Sequence, residues 1–155
     1  MSLEIRTGIK TDIPQALELV KELAAYEKAP NDVVVTVDEM TEWGFGKDKQ
    51  FDFFVAIENN TIIGIALYYF KYSTWKGKCL FLEDIIVTEK QRGRGIGKML
   101  FNKVVDVSKQ TKVRRMEWQV LDWNTPAIEF YKKCNTHFDG EWINCKLTDE
   151  QLNMM

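Results

Sequence analysis

The stretch Leu80–Leu100, LFLEDIIVTEKQRGRGIGKML, contains the pattern that decides the fold. It opens with an apolar run typical of a buried strand, broken by the adjacent acids Glu83 and Asp84. A polar turn follows, and glycines at positions 93, 95 and 97 then lead into apolar residues at helical spacing. Strand, glycine-rich turn and helix N-terminus together predict a site for a phosphate-bearing cofactor, because backbone N–H groups and the helix dipole converge there.

The spacing of these glycines separates the turn from two common nucleotide-binding motifs. A Rossmann fingerprint requires G-x-G-x-x-G, and a P-loop requires G-x-x-x-x-G-K-[ST]. The glycines here do not follow the first pattern, and no Ser or Thr follows the Gly97-Lys98 pair. The pattern that the turn does show is Arg92-x-x-Gly95-x-Gly97, with Arg94 as a second positive charge.

This pattern resembles the pyrophosphate-binding signature of the GCN5-related N-acetyltransferases. The likeness extends to the spermidine/spermine (diamine) acetyltransferases and to their relatives that acetylate thialysine. The segments that carry it are KELAAYE at 21–27, GFG at 44–46, IALYYFKYSTWKGKCLFLEDIIV at 65–87 and VLDWNTPAIEFY at 120–131. Within them, STWKG at 73–77 and LDWN at 121–124 resemble the thialysine branch more closely.

The resemblance implies an α/β fold of the acetyltransferase (GNAT) type. In that fold a mixed, mostly antiparallel sheet is flanked by helices, and the cofactor cleft lies between diverging central strands. The implied reaction is direct attack of a small molecule's primary amine on acetyl-CoA, without a metal and with a homodimer as the expected assembly. A polyamine or diamine is the first expected acceptor, and thialysine or another lysine-like amino acid is the alternative. A non-catalytic coenzyme A-binding regulatory module is the alternative from another class.

The family motifs also imply roles for individual residues. Tyr131, in N-x-P-x-I-x-F-Y, matches the general acid that protonates the departing thiolate, whereas packing would be its ordinary role without the resemblance. Glu83 is expected to bind or deprotonate the amine, and a backbone N–H near Ile86-Val87 is expected to hold the oxyanion. The residues expected to bind the cofactor are Ile85, Ile86, Val87, Arg92, Gly93, Arg94, Gly95, Ile96, Gly97, Lys98, Asn124 and Ala127. Those expected to contact the acceptor are Tyr26, Glu27, Glu83, Asp84 and Trp142.

The two adjacent acids pose a geometric problem. In a regular strand Glu83 and Asp84 would face opposite sides of the sheet, so both can serve one site only if a β-bulge intervenes. The resemblance implies a bulge in this strand. An acid within an apolar run costs free energy unless it has a partner or a function, which favours a functional role for Glu83. The alternative is one acid in a surface ion pair and the other at a strand end.

The remaining segments predict further helices and strands. Thr36 begins a capping box for a second helix, and segments 51–57 and 61–69 form a hairpin around a turn at 58–60. A strand is predicted at 113–120, a helix capped by Asn124 after it, and two short strands between 136 and 147. The aromatic run at 68–72 with Trp75 is expected to serve packing first, a dimer surface second and substrate contact third.

Composition limits the class of protein. The 155 residues, 45% hydrophobic and 28% charged, suit one domain over 1–155, which the resemblance implies is an N-acetyltransferase domain. A net charge of -2 argues against a general nucleic-acid binder. No apolar run approaches the roughly 20 residues of a membrane span, so no membrane association is expected. Three cysteines without metal-ligand spacing fit the thiols of a cytoplasmic protein.

Overall fold

The computed structural model describes Ser2–Met155, which divide into one compact unit ending at Gln119 and another comprising Val120–Met155. The first unit contains the strands β1 (Glu4–Thr7), β2 (Asp52–Glu58), β3 (Thr61–Ser73), β4 (Gly77–Val87) and β5 (Met116–Glu117), and the helices α1 (Ile13–Tyr26), α2 (Val37–Phe45) and α3 (Ile96–Gln110). The second unit contains the helices α4 (Thr125–Lys133) and α5 (Asp149–Asn153). Among the described residues, none of the helices has the length and apolarity needed to cross a lipid bilayer.

The strands form one mixed sheet in the order β1-β2-β3-β4-β5. The first four strands pair antiparallel, and β5 pairs parallel to β4. The β4–β5 ladder consists of Leu80–Met116 and Phe81–Glu117, so the two strands separate after a short paired stretch. The strand predicted at 113–120 is therefore limited to Met116–Glu117, while the predicted mostly antiparallel sheet is confirmed.

Local turn chemistry sets the register of the β2–β3 hairpin. Asn59 and Asn60 connect β2 to β3 with φ angles of 53° and 60°, the left-handed pair that a two-residue hairpin turn requires. β3 is longer than predicted, because it continues beyond Tyr69 to Ser73, where it pairs with Gly77 of β4. The extended hairpin thus projects further along the sheet than β2, whose pairing with β3 ends at Asp52–Tyr68.

The helices pack on opposite faces of this sheet. The main core cluster joins Ile13 and Leu17 of α1 with Ile65 and Leu67 of β3. On the other face a Cβ added at Gly64 would lie 3.0 Å from Leu100 Cδ1 of α3, so the glycine allows α3 to approach the strand closely. Because successive side chains of β3 point to opposite faces of the sheet, Ile65 and Leu67 face α1, whereas Gly64 faces α3. Beyond this cluster, Thr36 begins α2 with the predicted capping box.

The two short strands predicted between residues 136 and 147 do not form. Asp139 Oδ1 instead accepts a hydrogen bond from the Glu141 backbone N–H at 3.3 Å, which closes a local turn. A strand requires a neighbour for its ladder hydrogen bonds, and no strand in the described part of the chain pairs with this segment. The apolar pattern alone was therefore misleading here.

Candidate active site

β4 carries a β-bulge at Glu83. Leu67 of β3 pairs with Asp84 and the next residue, Tyr68, pairs with Leu82, so Glu83 is the additional residue in the ladder. The extra residue interrupts the alternation, and Glu83 and Asp84 line the same cavity. The bulge expected in this strand is confirmed, and the two acids belong to one site in the structure.

The cavity at the bulge has a volume of about 240 Å³ and mainly apolar walls. Leu17 and Val20 of α1, Met40 and Trp43 of α2 and Leu67 of β3 supply much of this lining. The two bulge acids are the carboxylates of the lining. An aliphatic chain that ends in a cation matches such a combination, because its carbons are shielded from water and its charge is paired.

The carboxylates of this site differ in their environments. Burial, followed by the negative charges of Glu83 and Glu27, raises the pKa of Asp84 to about 7. Burial also raises the pKa of Glu27, which is the C-cap residue of α1. Glu83 is exposed, and it accepts a hydrogen bond from Tyr69 Oη at 3.1 Å. Asp84, rather than the Glu83 favoured from the sequence, therefore bears the cost of placing an acid in the apolar strand.

The glycine turn between β4 and α3 leaves space for an anion. Gly93 and Gly95 both have a φ of 80°, and a Cβ at either position would meet no atom within 4 Å. Gly95 is the N-cap of α3 and makes no side-chain cap hydrogen bond, so the N–H groups of Ile96 and Gly97 have no acceptor within the helix. Open space beside first-turn donors is compatible with a pyrophosphate group, and binding of the cofactor at this turn stays a prediction.

Both arginines of the turn already contact acidic side chains. Arg94 Nη2 lies 2.9 Å from Glu58 Oε2. Arg92 Nε donates to the Val87 carbonyl oxygen at 2.8 Å, and its Nη2 lies 3.6 Å from Glu22 Oε2. The arginines therefore contribute less uncompensated positive charge to the turn than the sequence suggests. Lys98 is exposed at the same helix terminus.

Glu22, which was not among the predicted site residues, connects α1 to the glycine turn. Its carboxylate accepts hydrogen bonds from Thr88 Oγ1 at 2.8 Å and from the Glu89 backbone N–H at 3.1 Å. One helical turn later, the ring of Tyr26 lies 5.3 Å from the Arg92 guanidinium. The spacing of Glu22 and Tyr26, four residues apart on one helix face, was the available sequence signal.

Four predicted site residues lie in the second unit, namely Asn124, Ala127, Tyr131 and Trp142. Asn124 is the N-cap of α4, and its side chain accepts a hydrogen bond from the Ala127 backbone N–H at 3.3 Å, which confirms its predicted capping role. Tyr131 is buried, and the centroid of its ring lies 5.4 Å from that of Phe130. Trp142 is 71% exposed. The catalytic role of Tyr131 and the acceptor contact of Trp142 stay predictions.

The sequence model of the Acetyltransferase (GNAT) family matches residues 17–135. The chain belongs to this family. Thialysine N-epsilon-acetyltransferase of Mus musculus is 34% identical over 97% of this chain and 95% of its own length. The enzyme of the same name from Caenorhabditis elegans is 32% identical over 98% of this chain and 96% of its own length. Human spermidine/spermine N(1)-acetyltransferase-like protein 1 is 33% identical over 83% of this chain, but over 19% of its own length.

Solved structures agree on the fold. An integron cassette protein from the mobile metagenome of V. cholerae superposes with a TM-score of 0.80 at 21% identity, covering 99% of this chain and 97% of its own. An aminoglycoside acetyltransferase from an uncultured soil metagenomic sample gives a TM-score of 0.77 at 18% identity, covering 94% and 95%. The predicted GNAT fold is confirmed. The protein is accordingly an N-acetyltransferase of a family that uses acetyl-CoA, as the sequence indicated.

The raised pKa of Asp84 predicts a pH-dependent stability. Between the ordinary value of 3.8 and about 7 the folded chain binds more protons at this site than the unfolded chain, so stability falls as pH rises through that range. Asp84→Asn removes this loss. We expect the variant to exceed the wild type in unfolding free energy by roughly 1–3 kcal/mol at pH 8, and by little at pH 4.

Urea unfolding at the two pH values measures the difference. Asp106→Asn, which removes an exposed carboxylate on α3, is the matched control and should show no comparable pH dependence. An Asp84→Asn effect of equal size at pH 4 and pH 8 would contradict the assignment.

Proposed function

We propose that the protein acetylates the terminal primary amine of a small aliphatic molecule whose ammonium group is bound by Glu27, Glu83 and Asp84. The observation that carries this proposal is the apolar cavity at the bulge with two carboxylates in its lining. Glu27 is close enough to Asp84 to raise its pKa, so it is included in the same anionic site. A cationic amine is the ligand that compensates three neighbouring carboxylates.

Asp84 is the proposed proton acceptor. An alkyl ammonium group has an ordinary pKa of about 10.4 and must lose a proton before its nitrogen can attack. A carboxylate with a pKa of about 7 is a stronger base than an ordinary aspartate and is ionised in the upper part of the neutral range. Glu83, which is exposed, is proposed to orient the ammonium, either directly or through water. This reassigns proton removal from Glu83, the residue favoured by the sequence, to its half-buried neighbour Asp84.

The glycine turn is the proposed site for the pyrophosphate of acetyl-CoA, which supplies an activated thioester carbonyl when bound. Residues 92–98 would hold the phosphates through backbone N–H groups and side-chain cations, and Asn124 and Ala127 would add contacts from α4. The backbone of Ile85, Ile86 and Val87 would align the acyl portion, with one N–H stabilising the oxyanion. Tyr131 would give its phenolic proton to sulfur as the new N–C bond forms and the C–S bond breaks.

Two acceptor classes fit this site. The sequence placed a polyamine or diamine first, and a spermidine/spermine acetyltransferase-like protein is among the relatives. The relatives that match nearly the whole chain are named for thialysine, which favours the lysine-like alternative. Trp142 and Tyr26 are proposed as further acceptor contacts in either case.

We also infer one acetyltransferase domain, a homodimer and a cytoplasmic location. The family match at 17–135 spans parts of both compact units, which supports a single domain. The dimer is supported by apolar side chains near the C-terminus that are more than half exposed, namely those of Trp142, Ile143, Leu147 and Leu152. The thiols of Cys79 and Cys145 support a reducing compartment. Sedimentation equilibrium that returned the 18.1 kDa mass of one chain would contradict the dimer.

Coenzyme A release with acetyl-CoA and a panel of amines tests the function. The panel contains spermidine, spermine, thialysine, lysine and a short diamine. We expect saturable release with at least one of them, and a kcat/KM that rises with pH to a plateau above about 7 because Asp84 must be ionised. Asp84→Asn should lower kcat/KM by about 100-fold or more. Silence across the panel while acetyl-CoA still binds would overturn the proposal.

Tyr131→Phe tests the general acid. Loss of the phenolic proton should lower kcat by about 100-fold, with acetyl-CoA affinity nearly kept, because the ring and its packing remain. Tyr72→Phe, which removes the same hydroxyl from an exposed residue of the β3–β4 hairpin, should leave kcat unchanged. Equal turnover by Tyr131→Phe and wild type would refute the role.

Gly95→Asp tests the phosphate site. The substitution places a side chain and a negative charge in the open turn, so the Kd of acetyl-CoA should rise by about tenfold or more. Gly77→Asp is matched in backbone conformation, since Gly77 has a φ of 83°, but it lies in the β3–β4 hairpin. Calorimetric titration of both variants separates backbone strain from loss of the site. Similar affinities in the two variants would place the cofactor elsewhere.

A further inference from the structure

A continuous row of polar and aromatic side chains leads from the bulge along the sheet. Tyr69 Oη donates to Glu83, and the ring centroids of Tyr69 and Phe81 are 5.4 Å apart. Lys71 Nζ lies 5.4 Å from the centroid of Phe81 and 2.9 Å from Glu117 Oε1. Tyr69 pairs with Phe81, and Phe81 with Glu117, so Tyr69, Lys71, Phe81 and Glu117 share one face of the sheet. We call these four residues the Lys71 row.

The far end of the Lys71 row has one positive charge in excess. Glu117 is the carboxylate to which both Lys71 and Arg115 are bound, the latter through Nε at 2.6 Å. The side chains of Lys71 and Arg115 are 40% and 39% exposed, so part of each cation faces solvent. Lys71 and Arg115 can therefore bind a second carboxylate in addition to Glu117. Glu117 can in turn accept a hydrogen bond from an ammonium group.

The row lies at a suitable distance from the amine site. Asp84 pairs with Leu67 of β3. Lys71 follows Leu67 by four residues on the same strand, so the Cα atoms of Leu67 and Lys71 are about 13 Å apart at the usual strand rise. The Lys71 ammonium shortens this interval, because it lies 5.4 Å from the ring centroid of Phe81, which pairs with Tyr69, two residues nearer to the bulge. A lysine-like amino acid spans roughly 8 Å from its terminal nitrogen to its carboxylate carbon, as a chain of single bonds of about 1.5 Å allows.

The charges of the row distinguish the two acceptor classes. A polyamine bound by its terminal ammonium at Asp84 would bring a second cation towards Lys71 and Arg115, where like charges repel. An amino acid bound in the same way would bring an α-carboxylate to those cations and an α-ammonium to Glu117. The arrangement of charges therefore favours a lysine-like amino acid and disfavours a polyamine or diamine.

We propose that the Lys71 row binds the α-amino-acid end of the acceptor, with Lys71 as the residue that selects a lysine-like amino acid over a diamine of the same length. This inference rests on the proposed function, because the acceptor's other end must occupy the cavity at the bulge. The selectivity comes from Lys71 together with Arg115 on the carboxylate and from Glu117 on the α-ammonium group.

The test compares two acceptors that differ by a carboxylate. Thialysine and bis(2-aminoethyl) sulfide, which is thialysine without that group, are assayed with the wild type and with Lys71→Met. We expect the wild type to prefer thialysine in kcat/KM. Lys71→Met should lower kcat/KM for thialysine by about tenfold or more, chiefly through KM, and leave the value for the diamine equal or higher. Lys71→Arg should restore most of the preference.

Lys78→Met is the matched control. Lys78 Nζ lies 4.2 Å from the centroid of Phe70, so it is also a lysine above a phenylalanine ring in the same hairpin. It pairs with Tyr72 and therefore faces the opposite side of the sheet from Lys71. Its removal should leave the ratio of kcat/KM values unchanged.

Other results would overturn the inference in distinguishable ways. If the ratio of kcat/KM for thialysine to kcat/KM for the diamine is the same in Lys71→Met and wild type, the Lys71 row does not select the acceptor, and the proposed function still stands. Turnover of diamines alone would lead to the same conclusion. If no amine is turned over, calorimetric titration with thialysine decides. If thialysine binds more weakly to Lys71→Met than to wild type, and equally well to Lys78→Met, the Lys71 row binds the amino acid but the proposed acetyltransferase function is rejected. Equal binding in all three proteins would reject both.

Discussion

The additional residue at Glu83 of β4 sets the position of the two carboxylates that line the cavity at the bulge. With a regular ladder, Glu83 and Asp84 would face opposite sides of the sheet, one towards α1 and the other towards α3. The bulge places both on the cavity side. Burial, followed by the negative charges of Glu83 and Glu27, raises the pKa of Asp84 to about 7. The bulge also shifts the β3–β4 register by one residue, so that Tyr69 pairs with Phe81. The Tyr69 hydroxyl then donates a hydrogen bond to Glu83. One inserted residue thus creates the anionic site and aligns the row that leaves it.

A single helix supports both parts of the proposed reaction site. α1 lines the cavity at the bulge with Leu17 and Val20, and further along it holds the start of the glycine turn through Glu22. Arg92 completes the connection, because it binds the Val87 carbonyl oxygen, Glu22 and the ring of Tyr26 together. The turn cannot move away from α1 without breaking these contacts. Contacts to α1 therefore set the distance between the cavity and the glycine turn.

The sequence predicted features that depend on local chemistry. The capping box at Thr36, the Asn59-Asn60 turn and the glycine spacing after β4 each follow from the preferences of a few neighbouring residues. Features that depend on distant partners were harder to predict. The strands expected at 136–147 have no neighbouring strand to pair with, and the burial of Asp84 depends on side chains from two helices. Lys71 was visible in the sequence only as part of an aromatic run.

The raised pKa of Asp84 has a physical relation to the positive charge of the ligand proposed for the site. In the free protein its ionised form is disfavoured by burial and by two neighbouring carboxylates, so the site itself reduces stability at neutral pH. A bound ammonium group reverses this, because it favours the ionised form and compensates the neighbouring charges. Relief of the repulsion among these carboxylates thus makes the binding of a cation more favourable. The positive excess at Lys71 and Arg115 applies the opposite preference at the other end of the site. An acceptor with one sign of charge along its whole length can satisfy one end, whereas a zwitterionic amino acid with a terminal amine satisfies both.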